Sequence, residues 1–153
     1  MSVGFLAMPH VVFGVWGLFV SLWLIAEVVN VNEANLSRIK MASWIQAVFE
    51  WVSFLLGGWW YYTYYAAEKA IILKGPFPQG HEFFMETKEH VFLVLLLLST
   101  FIPIIAHQNN LLANNAARKL IIVSAAMVII LGFVMEGSGS FIIQAVKMGL
   151  GGK

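Results

Sequence analysis

Met41–Trp60 reads MASWIQAVFEWVSFLLGGWW, an almost wholly apolar run with a single acid, Glu50, at its middle. About 20 such residues are what a helix needs to cross ~30 Å of hydrocarbon. A second run, Leu120–Ser140, LIIVSAAMVIILGFVMEGSGS, carries Glu136 in the same way. An ionisable side chain in lipid costs on the order of 3 kcal/mol or more, so each of these acids is expected to face a protein interior, a partner or an ion.

Composition agrees with a membrane-embedded chain. The 153 residues are 60% hydrophobic and 11% charged, against roughly 25% charged in a soluble domain, which leaves too little polar surface to cover a water-soluble globule. The formal net charge of +1 offers no attraction to nucleic acid. All eight acids are Glu, and cysteine is absent. That excludes disulfides, thiolate metal sites, iron–sulfur clusters and covalently attached c-type haem. The first ten residues, MSVGFLAMPH, contain no Lys or Arg. A secretory signal would need a positive region there, so the first apolar segment is expected to be retained.

Four apolar segments are expected as helices at about 5–30, 39–65, 82–106 and 118–147, forming one transmembrane domain. The links between them are short or breaker-rich: a polar turn at Asn30–Ser37, with Ser37 as a candidate helix cap; an irregular loop at Lys74–Gly80 with two prolines; and a polar turn at His107–Asn115. Short links favour antiparallel neighbours, so the expected fold is all-α, an integral membrane four-helix bundle running up-down-up-down. Trp59, Trp60, Tyr61, Tyr62, Tyr64 and Tyr65 are expected to form an anchoring belt at the headgroup layer. Arg38 and Lys40, the first positive charges after the first helix, place both termini on the non-cytoplasmic side.

Positions three and four apart share a helical face. On that basis the first helix aligns His10, Gly14, Gly17 and Ser21, and the second aligns Gln46, Glu50, Ser53 and Gly57. The third aligns Glu82, Glu86, Glu89 and His90, and the fourth aligns Ser124, Gly132, Glu136, Ser140 and Gln144. Small residues let membrane helices approach and polar ones bond across the gap. Packing alone accounts for the glycines and serines but not for Glu50 and Glu136, since Gln or Ser would do the same at lower cost. At ~1.5 Å per residue, His10 lies about 10 Å, His90 about 7 Å and Glu136 about 5 Å from the helix centres on the terminal side, with Glu50 near its centre and Glu86 one turn outward of His90.

Three chemistries use such a cluster. In the first, His10 and His90 are axial ligands of a b-type haem, Gly14 and Gly17 give the macrocycle clearance, and Glu86, Glu50 and Glu136 orient a ligand or handle protons. The chain would then carry electrons between a membrane quinone pool and a partner protein, as the membrane subunit of an oxidoreductase. In the second, Glu50, Glu86, Glu136, His10 and His90 hold iron or manganese in a carboxylate–histidine centre of the kind built inside four-helix bundles. In the third no cofactor is needed: Glu50 and Glu136 stay protonated and relay protons or line a cation path. An accessory role is the plainest alternative, with the polar stripes meeting other membrane subunits or a second copy of the chain. The architecture is broadly similar to small membrane cytochrome b subunits, a likeness of fold alone. Walker, dinucleotide-binding, His-Glu-x-x-His and Gly-x-Ser-x-Gly motifs are absent, which argues against soluble-type hydrolysis or phosphoryl transfer.

Overall fold

Heptad spacing organises the protein more strictly than the local stripes imply. A computed structural model describes residues 4–151. The helices are α1 Gly4–Val29, α2 Leu36–Lys74, α3 Glu86–Gln108 and α4 Asn115–Gly149, with a π-helical turn at Gly80–Met85 running directly into α3. No strand occurs among the described residues. Each of the four helices is long and apolar enough to cross a membrane. α1 packs on α2 and α4, α3 packs on the same two, and α1 faces α3 across the diagonal of the bundle.

The inward positions of α1 are His10, Gly14, Gly17, Ser21, Leu24 and Val28; those of α2 are Ile39, Ser43, Gln46, Glu50, Ser53 and Gly57. Steps of four and three alternate along both, the 3.5-residue repeat that keeps one seam facing its neighbours. Each seam passes from polar to apolar along its length. At the end carrying the two short links, Leu24, Val28, Ile39, Ala42, Ile102, Ala106, Ile121 and Val128 form a dry core. At the terminal end a second, smaller core joins Tyr65, Ile72, Met85, Ile142 and Ala145. Between them lie buried Ser21, Gln46, Glu50, Ser53, Ser99 and Ser124. The outer surface is the reverse: Phe19, Leu97, Ile130 and Phe133 are among many large apolar side chains left exposed. A polar interior under an apolar skin suits lipid as the solvent, because lipid cannot hydrogen-bond.

Two helices overrun the membrane. The 39 residues of α2 measure ~58 Å at ~1.5 Å each, nearly twice the ~30 Å hydrocarbon thickness. The expected second helix, ending at 65, is therefore too short. The chain continues helically through Lys74 because the apolar side of Ile72 and the ring of Tyr65 pack on α4 and the π-turn. Tyr65 is 2% exposed and belongs to this terminal core, not to the belt, whereas Trp59 and Tyr62 face outward as expected. Gly75 and Gly149 meet closely where the α2–α3 loop crosses the end of α4: a Cβ on Gly75 would lie 2.8 Å from the Gly149 Cα.

At the opposite end, Asn35, and not Ser37, closes the α1–α2 link. Its fully buried side chain donates from Nδ2 to the Glu27 carbonyl (3.1 Å), the Glu27 carboxylate (2.8 Å) and the Asn30 carbonyl (3.2 Å), and accepts from the Asn32 N–H (2.8 Å). Glu27 is further held by Trp23 Nε1 (3.1 Å) and by Arg38 (3.0 and 3.2 Å). On the α3–α4 link the Asn114 side chain caps α4 by accepting from Ala117 N–H at 3.0 Å. A net hydrogen bond contributes ~1 kcal/mol, and stranding its buried partners costs more. Asn35→Ala is therefore expected to destabilise the protein by about 2 kcal/mol, more than Ser37→Ala, whose position is exposed. Thermal unfolding of the detergent-solubilised variants measures the difference, and equal losses would remove Asn35 from this role.

Candidate functional site: a carboxylate cluster inside the bundle

The α1 glycines define the site by what lies against them. A Cβ built on Gly17 would come within 2.8 Å of the Glu50 Cδ, so the Glu50 carboxyl rests on bare α1 backbone. One turn towards the terminus, a Cβ on Gly14 would lie 3.2 Å from Ser53 Oγ and 3.2 Å from Glu136 Oε1. The two carboxyls thus border adjacent glycines about 4.5 Å apart along the α1 axis. They are near enough to repel if both were charged. The clearance expected for a flat macrocycle is filled by the protein's own acids.

His10 is tied to α2 one turn further out. Its Nδ1 lies 2.8 Å from the Ser53 carbonyl oxygen and 3.1 Å from Ser53 Oγ, while Ser53 Oγ donates to the His10 carbonyl at 2.9 Å. Nδ1 must carry the proton to donate to a carbonyl, which leaves Nε2 as the free ring nitrogen. The ring packs on Gly57, where a Cβ would fall 2.7 Å from Nδ1. This reciprocal His10–Ser53 pairing fixes the α1–α2 register at the level of the acids.

The fourth member of the cluster is Lys88. Its Nζ reaches α4, 3.3 Å from the Cβ position of Gly139, and its charge acts on both Glu136 and His10. An inward Lys88 requires an outward His90: two residues at ~100° each turn the side chains about 200° apart. His90 is exposed, and its Nδ1 bonds the Glu86 carbonyl of its own helix at 2.6 Å. Glu86 turns to His81, with Oε1 3.9 Å from Nε2. Of the residues expected at the site, the structure gathers His10, Glu50, Glu136, Gly14 and Gly17. It leaves Glu86 and His90 outside, and Ser140 and Gln144 on the exposed face of α4. Among the described residues no three His or acid side chains stand close enough together to hold a metal ion.

The expected α3 stripe starts at Glu82, which is exposed, whereas its neighbours His81 and Met85 are buried and lie in phase with the buried face of α3. Counting back from the buried α3 seam Ala106, Ile102, Ser99 and Leu95 by threes and fours gives Phe92 and Lys88. That spacing was the available signal for Lys88.

A second polar group lies in the terminal core. His81, directly after the Lys74–Gly80 loop, is 6% exposed and its Nδ1 is 3.0 Å from the Tyr65 hydroxyl. Tyr61 stacks on Tyr65 and donates to Glu89 at 2.6 Å. These bonds hold the π-turn and the first turn of α3 against α2.

Inside the cluster, Glu50 Oε1 is buried and has no hydrogen-bond partner among the described residues; the same is true of Gln46 Oε1, one turn away on α2. Gln46 Nε2 is engaged, donating to Ser99 Oγ at 2.9 Å. Glu50 itself is 5% exposed.

The fit of Glu50 against Gly17 yields a direct test. Overpacking a tight contact costs ~1–3 kcal/mol, whereas Gly to Ala on an open helix face gains up to ~1 kcal/mol of helix propensity. Gly17→Ala and Gly57→Ala are expected to lower the melting temperature of the purified protein. Gly58→Ala and Gly137→Ala, at positions where a Cβ meets nothing within 4 Å, should leave it unchanged or raise it. A tolerated Gly17→Ala would show that the Glu50 carboxyl is not seated as described. No family model, curated protein or solved structure matches this chain.

Proposed function

We propose that the bundle is an intramembrane proton-transfer subunit in which Glu50 and Glu136 exchange a proton, Lys88 steadies the Glu136 carboxylate, and His10 links the pair to the terminal face. The observation that carries this reading is the buried, unpartnered Glu50 Oε1 resting on Gly17. A charged carboxylate left alone in a low-dielectric interior is penalised by several kcal/mol. A proton relieves that penalty with no further residue.

The parts then have distinct tasks. Gly14 and Gly17 keep the space between the two acids clear of side chains. Lys88 supplies positive charge beside Glu136, which makes the two carboxyls inequivalent. Ser53 holds the His10 ring with Nδ1–H engaged and Nε2 free to accept. Beyond Gln46 and Ser21 the dry core of Leu24, Ile39, Ile102 and Ile121 offers no ionisable group. The path therefore runs from the terminal face to mid-bundle and stops, which suits a subunit that works beside other membrane components.

A bis-histidine haem is supported less well. His10 presents a free Nε2 with its Nδ1–H on a carbonyl, as a ligand imidazole would, but the residues present do not offer a second axial histidine, since His90 faces outward.

Infrared difference spectroscopy of the protein in lipid between high and low pH tests the proposal. A carboxylic acid C=O band should grow as pH falls and carboxyl groups take up protons, and it should be lost or halved in Glu50→Gln and shifted in Lys88→Met. A spectrum unaltered by Glu50→Gln and Glu136→Gln overturns the reading. A Soret band in the purified protein that disappears in His10→Ala would replace it with the haem one.

A further inference from the structure

The two unpartnered buried oxygens of α2 fall on consecutive turns of one helix face. Gln46 is wholly buried and Glu50 5% exposed, and neither Oε1 meets a donor among the described residues. Residues four apart on a helix are neighbours, so the two acceptors flank a common space. What surrounds that space is also oxygen. Gly17 lies against Glu50, and one turn further along the antiparallel pair Ser21 on α1 comes level with Gln46. The Ser21 hydroxyl donates its proton back to the Gly17 carbonyl at 2.9 Å, which leaves lone pairs for the interior. Gln46 Nε2 spends one of its two N–H groups on Ser99 Oγ, and neither Gln46 Oε1 nor Glu50 Oε1 receives a donor. The nest holds two unmet acceptors and, with Glu50 ionised, one formal negative charge.

Such a nest needs something positive between its oxygens. A proton on Glu50 donating to Gln46 satisfies both acceptors; so does a small cation coordinated by both. A divalent ion is disfavoured, because hard divalent cations take several carboxylates and waters and the other acid, Glu136, lies one turn away against Gly14. We propose that Gln46 Oε1 and Glu50 Oε1, helped by Ser21, form a binding site for an alkali-metal cation of Na+ size, which competes with the proton for Glu50. The site deepens the proton-transfer reading, and it rests on that reading only for the competing proton.

Dicyclohexylcarbodiimide, which attacks protonated carboxyls in apolar surroundings, reads the competition. Purified protein in detergent is treated at several pH values in sodium chloride or choline chloride of equal ionic strength, and modification of each glutamate is followed by mass spectrometry. Glu50 should be modified, and Na+ but not choline should slow it; by mass action the rate falls about tenfold when Na+ is ten times its dissociation constant. Protection should weaken as pH falls. Gln46→Leu should leave Glu50 reactive but indifferent to Na+. Equal rates in sodium and choline overturn the cation site and leave the proton reading standing. Absence of modification at Glu50 at every pH overturns the proton reading instead. In that case a Na+-specific rise in melting temperature, lost in Glu50→Gln, upholds the cation site, and no rise overturns it. If Gln46→Leu does not fold, the sodium–choline comparison on the unaltered protein decides alone.

Discussion

The seating of the Glu50 carboxyl on the bare backbone of Gly17 is the contact on which the rest of the bundle depends. Lipid neither donates nor accepts hydrogen bonds, so a carboxyl at this depth has to be enclosed by protein. Enclosing it takes space, and the space comes from glycine on the facing helix. Once Glu50 occupies Gly17, the register of α1 on α2 is set. His10 then meets Ser53 and Gly57, and Gly14 opens towards Glu136. Both links confirm the same register: the polar pairing of His10 and Ser53 outside the acids, and the Gln46–Ser99 bond that carries it across to α3.

This arrangement divides the interior along its axis. Heptad seams that hold leucine, isoleucine and valine near the short links hold serine, glycine, glutamate and histidine towards the termini. A bundle built for stability alone would run apolar throughout, as buried charge is weak evidence for stability and is often bettered by apolar packing. The protein instead keeps its dry packing at one end and, at the other, secures α2, α4 and the π-turn by the small terminal core and the Tyr65–His81 pair. The polar half therefore lies between two packed apolar clusters.

The helices, their number and the inward faces of α1 and α2 were legible because each depends on local information: apolar run length, and spacing from His10 or Glu50. Glu136 was legible for the same reason. What escaped depends on the residue from which a stripe is counted. A stripe begun at the exposed Glu82 selects His90, while the seam through Ser99 and Ile102 selects Lys88 and continues to the buried Met85 and His81. Tyr65 and His81 escaped for a different reason. Each looks peripheral by composition, and only the overrun of α2 beyond the membrane thickness creates a core for them to enter. The role of the glycines was half legible: close approach was expected of Gly14 and Gly17, but the sequence does not say which side chain takes the vacated room.

Glu50 stands where the polar half ends and the dry half begins, and that position constrains any function. On one side lies Glu136, close enough to repel it, with Lys88 and His10 beyond; on the other, past Gln46 and Ser21, Leu24, Ile39 and their neighbours are apolar. In the proposed reading, a chain with this interior holds charge at mid-membrane without passing it through. A free path would need the dry core to open, and that would separate side chains now fully buried, at ~1.5–3 kcal/mol each for residues of this size. Several such residues together exceed what one proton's neutralisation supplies. In the proposed reading, then, the onward step belongs to a neighbour in the membrane. The apolar groove between α1 and α4, lined by Leu18, Phe19, Ile129 and Phe133 and reaching Glu136, is a lateral opening where a carboxyl of the cluster meets the lipid-facing surface.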